Sequence, residues 1–261
     1  MADSQARAGC GQAITRGRIQ AILFDLDDTL ISWERPTVSR EDFYFPRIEK
    51  IHTYLTGAGY LLPPCPEFWE AIDQAIMAMW AEARQTWRII PLGRLMSKLL
   101  RDLGLNLDHL DTDQLLKLLD WAPRPGVELF PETLPVLLSL REKGYQTGLL
   151  TNSFVPMWMR DLELEAYGLV DLLDERVSAA DVGYLKPHPA IYHHLLARLD
   201  VPPERAVFVG DRPANDIAGA NTVGLISVLI SPPYLARDAG EVQPDYHIER
   251  LDQLLPLLET I

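Results

Sequence analysis

Four short apolar runs, each followed at once by small or polar residues, constrain the fold of this chain more than any other feature. They cover residues 19–24, 146–150, 206–209 and 225–230, and helical patterns such as 132–143 and 189–199 separate them. Runs this short and this apolar are typical of strands in a parallel sheet, because crossover helices bury both faces of such a sheet. The sequence therefore predicts an α/β fold built on a parallel sheet.

The stretch between the first and second predicted strands interrupts this alternation. It has no clear strand pattern, and helical patterns fall at 43–55, 67–88, 92–103 and 112–119. We expect a helical domain that is inserted through two chain crossings, near 31–35 and 122–126, which would form a hinge. The predicted division is a loose leader at 1–18, an α/β domain at 19–32 and 126–261, and an all-helical insert at 33–125.

The charge of the chain limits its partners. With 24 basic and 37 acidic residues it carries a formal net charge of −13, so it offers no basic field for nucleic acid or for an anionic membrane surface. Residues 1–18 lack the apolar stretch of a secretory signal, and no apolar run reaches the ~20 residues of a membrane span. We expect a soluble cytoplasmic protein that is a monomer or a homodimer.

Polar side chains follow the predicted strands and are candidates for a functional site. Each motif by itself also fits a turn, a helix N-cap or an exposed lysine. The carboxyl ends of parallel strands meet at one edge of the sheet, however, and carboxylates gathered there would repel one another without a cation and a lysine between them. The candidates are Asp25 and Asp27 after the first strand, Thr151 and Asn152 after the second, Lys186 just before the helix at 189–199, and Asp211 and Asp216 after the third strand.

The residue types at these positions suit phosphoryl transfer. Of two neighbouring carboxylates such as Asp25 and Asp27, one can act as nucleophile and the other as proton donor and acceptor. A hydroxyl such as that of Thr151 can hold a phosphoryl oxygen, and Lys186 can offset negative charge. Asp211 and Asp216 suit a hard divalent cation.

The same motifs resemble those of the haloacid dehalogenase superfamily of hydrolases. The resemblance rests on Asp25-x-Asp27-x-Thr29, the hydroxyl of Thr151, Lys186-Pro187 and Gly210-Asp211-x4-Asp216, and it extends over about 19–252. It implies a Rossmann-like core with helices on both faces and a cap inserted between the first and second motifs, where the helical insert falls. It also implies Mg²⁺ held by Asp25, the backbone carbonyl of Asp27 and Asp211, with Asp216 supporting the metal shell or the lysine. Thr151 and Asn152 would contact the transferring phosphoryl group.

Within this superfamily the motif set favours phosphatase chemistry, because members that resemble dehalogenases lack the second aspartate of the first motif. We expect a Mg²⁺-dependent phosphatase of a small phosphorylated metabolite, with Asp25 as nucleophile, Asp27 as acid and base, and Lys186 and Thr151 holding the phosphoryl group. A phosphomutase acting on a sugar phosphate is the nearest alternative, ahead of a dehalogenase-type hydrolase. A phosphate-binding protein without turnover also stays open, as does a phosphonatase that uses an insert lysine, of which the candidates are Lys50, Lys98 and Lys117.

The insert offers candidates for substrate contacts. Met77, Trp80, Arg84 and Trp87 would share one helix face, and a face of this kind could close over the substrate, with Arg84 or Arg88 touching an anionic group. The favoured interpretation is that the tryptophans pack the insert onto itself and the arginines stay solvated. Trp33 follows the first motif closely and is a better candidate to line the site.

Overall fold

The computed structural model describes residues 19–235 and 240–261, so the predicted leader at 1–18 lies outside the described residues. Its centre is a six-stranded sheet in the order β5-β4-β1-β6-β7-β8, and all neighbouring strands in it are parallel. The strands are β1 (Ala21–Phe24), β4 (Gln146–Thr151), β5 (Glu175–Ser178), β6 (Ala206–Gly210), β7 (Ile226–Ile230) and β8 (Tyr246–Ile248), and a separate two-stranded sheet joins β2 (Ile31–Ser32) to β3 (Glu128–Leu129).

Helices cover both faces of the main sheet. Along β1, Ala21 and Leu23 belong to one apolar cluster and Ile22 and Phe24 to the other, because successive side chains of a strand point to opposite faces. The helices of this part are α5 (Thr133–Glu142), α6 (Met157–Ala166), α7 (Ala179–Val182), α8 (Pro189–Leu199), α9 (Ala218–Val223) and α10 (Leu254–Leu258). Helices α8 and α9 pack into the first cluster, and α5 and α10 pack into the second. The predicted α/β architecture is therefore confirmed.

Four helices lie between β2 and β3, close to the positions that the sequence predicts. The first helix begins three residues earlier than expected because the Ser39 hydroxyl accepts a hydrogen bond from Asp42 N at 3.0 Å and caps it. None of the helices in the described part of the chain combines the length and the apolar character of a membrane span. The four helices are α1 (Arg40–Gly57), α2 (Cys65–Thr86), α3 (Leu92–Asp102) and α4 (Thr112–Leu118).

The chain enters and leaves this helical segment along two adjacent stretches. The antiparallel pair β2 and β3 joins them, and Thr37 N donates to the carbonyl of Pro125 at 2.9 Å. Gly126 has a φ of +81°, and a Cβ there would collide with the carbonyl oxygen of Arg35. Only glycine accommodates both this backbone conformation and this close approach.

Candidate active site

The strands β1, β4 and β6 end side by side and bring the first, second and fourth motifs together. Phe24 of β1 is level with Leu149 of β4 and Val209 of β6, so the residues that follow each of them lie at one edge of the sheet. This edge lies where strand order reverses around β1, which is the usual position of a ligand site in an open parallel sheet.

Three buried carboxylates form a cluster at this edge. One carboxylate oxygen from each of Asp25, Asp211 and Asp216 lies within 4.8 Å of the other two. Hard cations such as Mg²⁺ take oxygen ligands of this kind, so the residues present could hold a metal ion. The side chain of Asp27, whose backbone carbonyl the family resemblance adds to the ligand set, contacts Trp33 and is not one of the three carboxylates of this cluster.

Lys186 lies between two of these carboxylates. Its Nζ is 2.7 Å from Asp25 Oδ1 and 2.8 Å from Asp216 Oδ1, and its side chain is 1% exposed. Burial disfavours the ammonium form, but the charges of Asp216 and Asp25 outweigh burial and raise the pKa of Lys186. Burial raises the pKa of the Asp25 carboxyl, with Lys186 opposing this shift and Asp216 adding to it. The lysine therefore stays charged beside Asp25.

Two asparagine side chains fix the backbone of Lys186. Lys186 N donates to Asn152 Oδ1 at 2.7 Å, and Asn152 Nδ2 donates to the Lys186 carbonyl at 3.1 Å. Asn215 Nδ2 donates to the same carbonyl at 2.8 Å. Because both the oxygen and the nitrogen of its amide bind Lys186, the Asn152 side chain positions the lysine. A contact of Asn152 with a phosphoryl group stays a prediction.

Asp216 is held in place by its local backbone. It lies on a single π-helical turn, Pro213–Ile217, where its Oδ2 accepts from Arg212 N at 2.9 Å. The hydroxyl of Tyr192 donates to the carbonyl of Asp216 at 3.1 Å. Its side chain also packs directly on Gly210, where an added Cβ would lie 2.5 Å from Asp216 Cγ. Glycine at this position therefore permits the approach of Asp216 to Lys186.

The carboxylate of Asp27 contacts Trp33 and is not part of the acidic cluster. The indole Nε1 of Trp33 donates to Asp27 Oδ1 at 2.7 Å, which places Trp33 beside this carboxylate as the sequence predicts. The next residue, Asp28, has a φ of +60°, and its Oδ1 accepts from Trp33 N at 3.1 Å and from the Tyr234 hydroxyl at 2.9 Å. The side chain of Asp27 is 33% exposed and is thus the accessible carboxylate of the first motif.

Thr151, the last residue of β4, is fully buried at the same edge. Its Oγ1 has no hydrogen-bond partner among the described residues, and the same holds for Oγ1 of Thr29. A buried hydroxyl without a partner is unusual, and a bound ligand would supply the missing partner. This observation is compatible with the predicted role of Thr151.

The sequence did not identify Arg160 and Glu163, which lie next to Asp27. Both are on α6, where Arg160 Nη1 is 2.9 Å from Glu163 Oε2 and Arg160 Nη2 is 3.7 Å from Asp27 Oδ1. An Arg-x-x-Glu spacing on a helix is also the pattern of a solvated surface pair, so the sequence contains no signal for this burial. Only the packing of α6 against the first motif places these charges in the site.

The candidate residues of the insert have different surroundings. Arg84 and Arg88 are exposed, and the ring of Trp80 packs edge-on against Phe154 with centroids 6.0 Å apart. The Arg88 guanidinium lies 5.4 Å from the centre of the Tyr184 ring. The helical segment also contains an apolar cavity of about 150 Å³, whose lining includes Tyr44, Trp69, Met77, Trp80, Trp121 and Phe154. Phe154 follows β4 and lies outside the insert, so Trp80 packs the insert against the α/β part of the chain and not onto itself. The exposure of Arg84 and Arg88 agrees with the favoured interpretation, in which the arginines stay solvated.

The helical segment also contacts the loop that carries Lys186. Leu185 N donates to the carbonyl of Trp87 at 2.9 Å, and Ile89 N donates to the carbonyl of Gly183 at 3.1 Å. These bonds connect the end of α2 to the residues just before the lysine. The segment thus reaches the site at a second place besides the two chain crossings.

Known proteins resemble this chain over half of its length or more. A glyceraldehyde 3-phosphate phosphatase of Methanopyrus kandleri is 34% identical over 137 residues, which are 51% of this chain and 57% of the relative. The chain thus spans little more than half the length of this relative. A HAD phosphatase from Thermococcus onnurineus has a solved structure that superposes with a TM-score of 0.59 at 26% identity, covering 92% of this chain and 98% of that one.

A solved 2-haloacid dehalogenase from Pseudomonas syringae is similar as well, with a TM-score of 0.63, 27% identity and coverage of 93% and 99%. The family model of haloacid dehalogenase-like hydrolases matches residues 19–224. That stretch includes all of the motif residues described above, from Asp25 to Asp216. The chain therefore belongs to the haloacid dehalogenase-like hydrolase family.

Proposed function

We propose that this chain is a Mg²⁺-dependent phosphatase that hydrolyses a small phosphorylated metabolite through a covalent phosphoryl group on Asp25. The observation that supports this most directly is the charge arrangement at the sheet edge. Lys186 Nζ lies 2.7 Å from Asp25, and Asp27 offers an accessible carboxylate two residues further on. The relatives named as phosphatases support the same reaction class.

The chemistry divides between the two aspartates of the first motif. A carboxylate oxygen of Asp25 forms a bond to phosphorus while the bond from phosphorus to the ester oxygen breaks, and Asp27 donates its proton to that oxygen. Asp27 then accepts a proton from water as the water attacks phosphorus, and the bond to Asp25 breaks to release phosphate. Because Trp33 occupies Asp27 Oδ1, these transfers use Oδ2.

The remaining residues neutralise the charge of the phosphoryl group and hold it in position. Lys186 stays protonated between Asp25 and Asp216 and offsets the negative charge of the phosphoryl oxygens. The hydroxyl of Thr151 donates to one of these oxygens. The carboxylates of Asp25, Asp211 and Asp216 fit a Mg²⁺ ion, which when bound supplies further neutralisation of the phosphoryl charge.

We also propose that residues 33–125 form a cap domain over a core domain made of 19–32 and 126–261. The pairing of β2 with β3 and the contact of Gly126 with Arg35 keep the two crossings together, so the cap would turn about one narrow connection. The bonds from Trp87 and Ile89 to the loop before Lys186 would hold the closed position. Closure would exclude water from the site.

Phosphate release from a panel of phosphorylated metabolites with Mg²⁺, repeated with EDTA, tests the proposed reaction. We expect release that depends on the metal and that is abolished in Asp25→Asn, while the circular dichroism and the unfolding midpoint of this variant stay close to those of the wild type. Asp174→Asn is the matched control, because Asp174 accepts from Thr147 N near the opposite end of β4.

Four outcomes would contradict the proposal. Substantial turnover by Asp25→Asn would exclude this nucleophile, and full activity in EDTA would exclude the metal. Formation of an isomeric phosphate ester without net phosphate release would indicate a mutase. Halide release from 2-haloacids, assayed in parallel, would indicate the dehalogenase reaction.

A further inference from the structure

Arg160 is a buried arginine beside the site, and the proposed mechanism does not use it. Its side chain is 7% exposed, and that of its partner Glu163 is 4% exposed. Burial of a guanidinium carries a large desolvation penalty, which partners must offset. Glu163 offsets part of this penalty through its ion pair with Nη1 at 2.9 Å.

Of the other two nitrogens of this guanidinium, Nη2 has only a longer ion pair with Asp27, and neither makes a hydrogen bond to a described residue. Arg160 Nε and Nη2 are buried without a hydrogen-bond partner among the described residues, and Nη2 is 3.7 Å from Asp27 Oδ1, which exceeds hydrogen-bond distance. Nε and Nη2 form one edge of the guanidinium and point their N–H groups in the same direction. That edge matches the two oxygens of a carboxylate or of a phosphate.

The position of the Nε and Nη2 edge of Arg160 indicates which part of the substrate it would contact. In the proposed reaction Asp27 protonates the ester oxygen, so the group attached to that oxygen lies next to Asp27. Arg160 Nη2 is beside the same carboxylate, at 3.7 Å from its Oδ1. An anionic group one or two carbons from the ester oxygen would therefore come within reach of Nε and Nη2.

The helical segment covers this position. Trp121 Nε1 donates to Glu163 Oε2 at 3.2 Å, and the ring of Tyr44 lies 5.9 Å from that of Trp121. Burial raises the pKa of the Tyr44 phenol, and the nearby positive charge of Arg160 opposes this shift. Movement of the proposed cap would open this edge, and its return would enclose the anion in a region of low dielectric, where the contact is strongest.

We propose that Arg160 recognises a second anionic group, a carboxylate or a phosphate, on the leaving group of the substrate. This inference rests on the proposed function and deepens it by naming a substrate class: short phosphate esters that carry a further negative charge close to the ester oxygen. Glu163 is then the residue that orients the guanidinium, and Nε and Nη2 are the donors that contact the substrate.

Two matched pairs of esters test this role with the full chain and Mg²⁺. The first pair is 2-phosphoglycolate and ethyl phosphate, and the second is 3-phosphoglycerate and glycerol 3-phosphate, so each pair differs in one carboxylate. We expect Arg160→Gln to lower kcat/KM for the member with the carboxylate in at least one pair by about 10- to 100-fold, as loss of a charge-assisted pair of hydrogen bonds would. The members without the carboxylate should change by less than about threefold.

Two further variants separate recognition from structure. Arg160→Lys keeps the charge but not the paired donors, so it should recover only part of the lost preference. Arg176→Gln removes another partly buried arginine, which pairs at 2.7 Å with Asp161, the neighbour of Arg160 on α6. Arg176→Gln should leave the preference for the esters with the carboxylate unchanged.

The outcomes separate this inference from the proposed function. Equal losses for the esters with and without the carboxylate would mean that Arg160 acts on Asp27 or on the phosphoryl group and would overturn the inference, and so would an unchanged preference in Arg160→Gln. Equilibrium binding of the same esters to Asp25→Asn, with and without Arg160→Gln, gives the comparison without turnover. Wild-type protein that releases phosphate from other esters of the panel but not from these four would also overturn the inference, whereas release from no ester of the panel would contradict the proposed function.

Discussion

Asn152→Ala is expected to destabilise the protein and to slow its turnover, because the Asn152 amide binds both backbone groups of Lys186. It accepts from Lys186 N at 2.7 Å and donates to the Lys186 carbonyl at 3.1 Å. Asn215 donates to the same carbonyl at 2.8 Å. The two asparagines therefore share one acceptor, and among these contacts Asn152 alone accepts from the backbone N–H.

This difference sets the expected magnitudes. In Asn152→Ala the Lys186 N–H loses its acceptor in a buried position, which reduces the free energy of unfolding by about 1–3 kcal/mol. In Asn215→Ala the carbonyl keeps its bond from Asn152, so we expect a reduction of about 0.5–1.5 kcal/mol. The double variant removes both donors to the carbonyl, and its loss should exceed the sum of the single losses.

Urea unfolding followed by circular dichroism measures these free energies. The rate of phosphate release should follow the same order, because displacement of the backbone moves Lys186 Nζ away from Asp25 and Asp216. A larger loss of stability in Asn215→Ala than in Asn152→Ala would refute the reasoning. So would a double variant whose loss is no greater than that of Asn152→Ala alone.

Three further substitutions test contacts around the site. Gly210→Ala places a Cβ 2.5 Å from Asp216 Cγ and should lower the free energy of unfolding by about 1–3 kcal/mol, so an unchanged urea midpoint would contradict this close approach. Trp33→Phe keeps an aromatic ring but removes the 2.7 Å hydrogen bond to Asp27, so kcat for phosphate release should fall about tenfold or more. A kcat equal to that of the wild type would show that this bond does not position the Asp27 carboxylate. Tyr192→Phe removes a buried hydroxyl that donates at 2.8 Å and 3.1 Å to the carbonyls of Asn215 and Asp216. Calorimetry should therefore detect a decrease of about 1–3 kcal/mol in the free energy of unfolding. A smaller decrease would mean that those carbonyls find other donors.

The sequence predicted well the helices whose apolar residues are regularly spaced. The helix at 189–199 was predicted with the bounds that α8 has, because its apolar positions are regularly spaced and a proline begins it. The four helices of the insert differ from their predicted bounds by three residues or fewer. The regular spacing of their apolar residues made these segments clear.

The elements that the sequence analysis missed have weak local signals. The strands β5 and β8 lie at the two edges of the sheet and have partly exposed residues, so they lack the continuous apolar run that marked β1 and β6. The strands β2 and β3 have two residues each, and only their pairing with one another gives them a strand conformation. Elements of this kind depend on contacts between distant parts of the chain.

The candidate site divides in the same way. The order of the motifs along the chain predicted that Asp25, Lys186, Asp211 and Asp216 lie together at one edge of the sheet, and the structure brings them together. The roles of Asn152 and Arg160 were not recognisable. The Asn152 amide binds a backbone 34 residues away, and Arg160 is buried only because α6 packs beside the first motif.

By itself, therefore, the sequence determined the parallel α/β architecture, the inserted helices and the residue types at the edge of the sheet, because local periodicity and chain order carry that information. The tertiary structure alone decided which polar groups share a partner, which charges lose their solvent, and which donors are left for a ligand. Those properties depend on distances between side chains that are far apart in the chain, such as the 3.7 Å between Arg160 and Asp27.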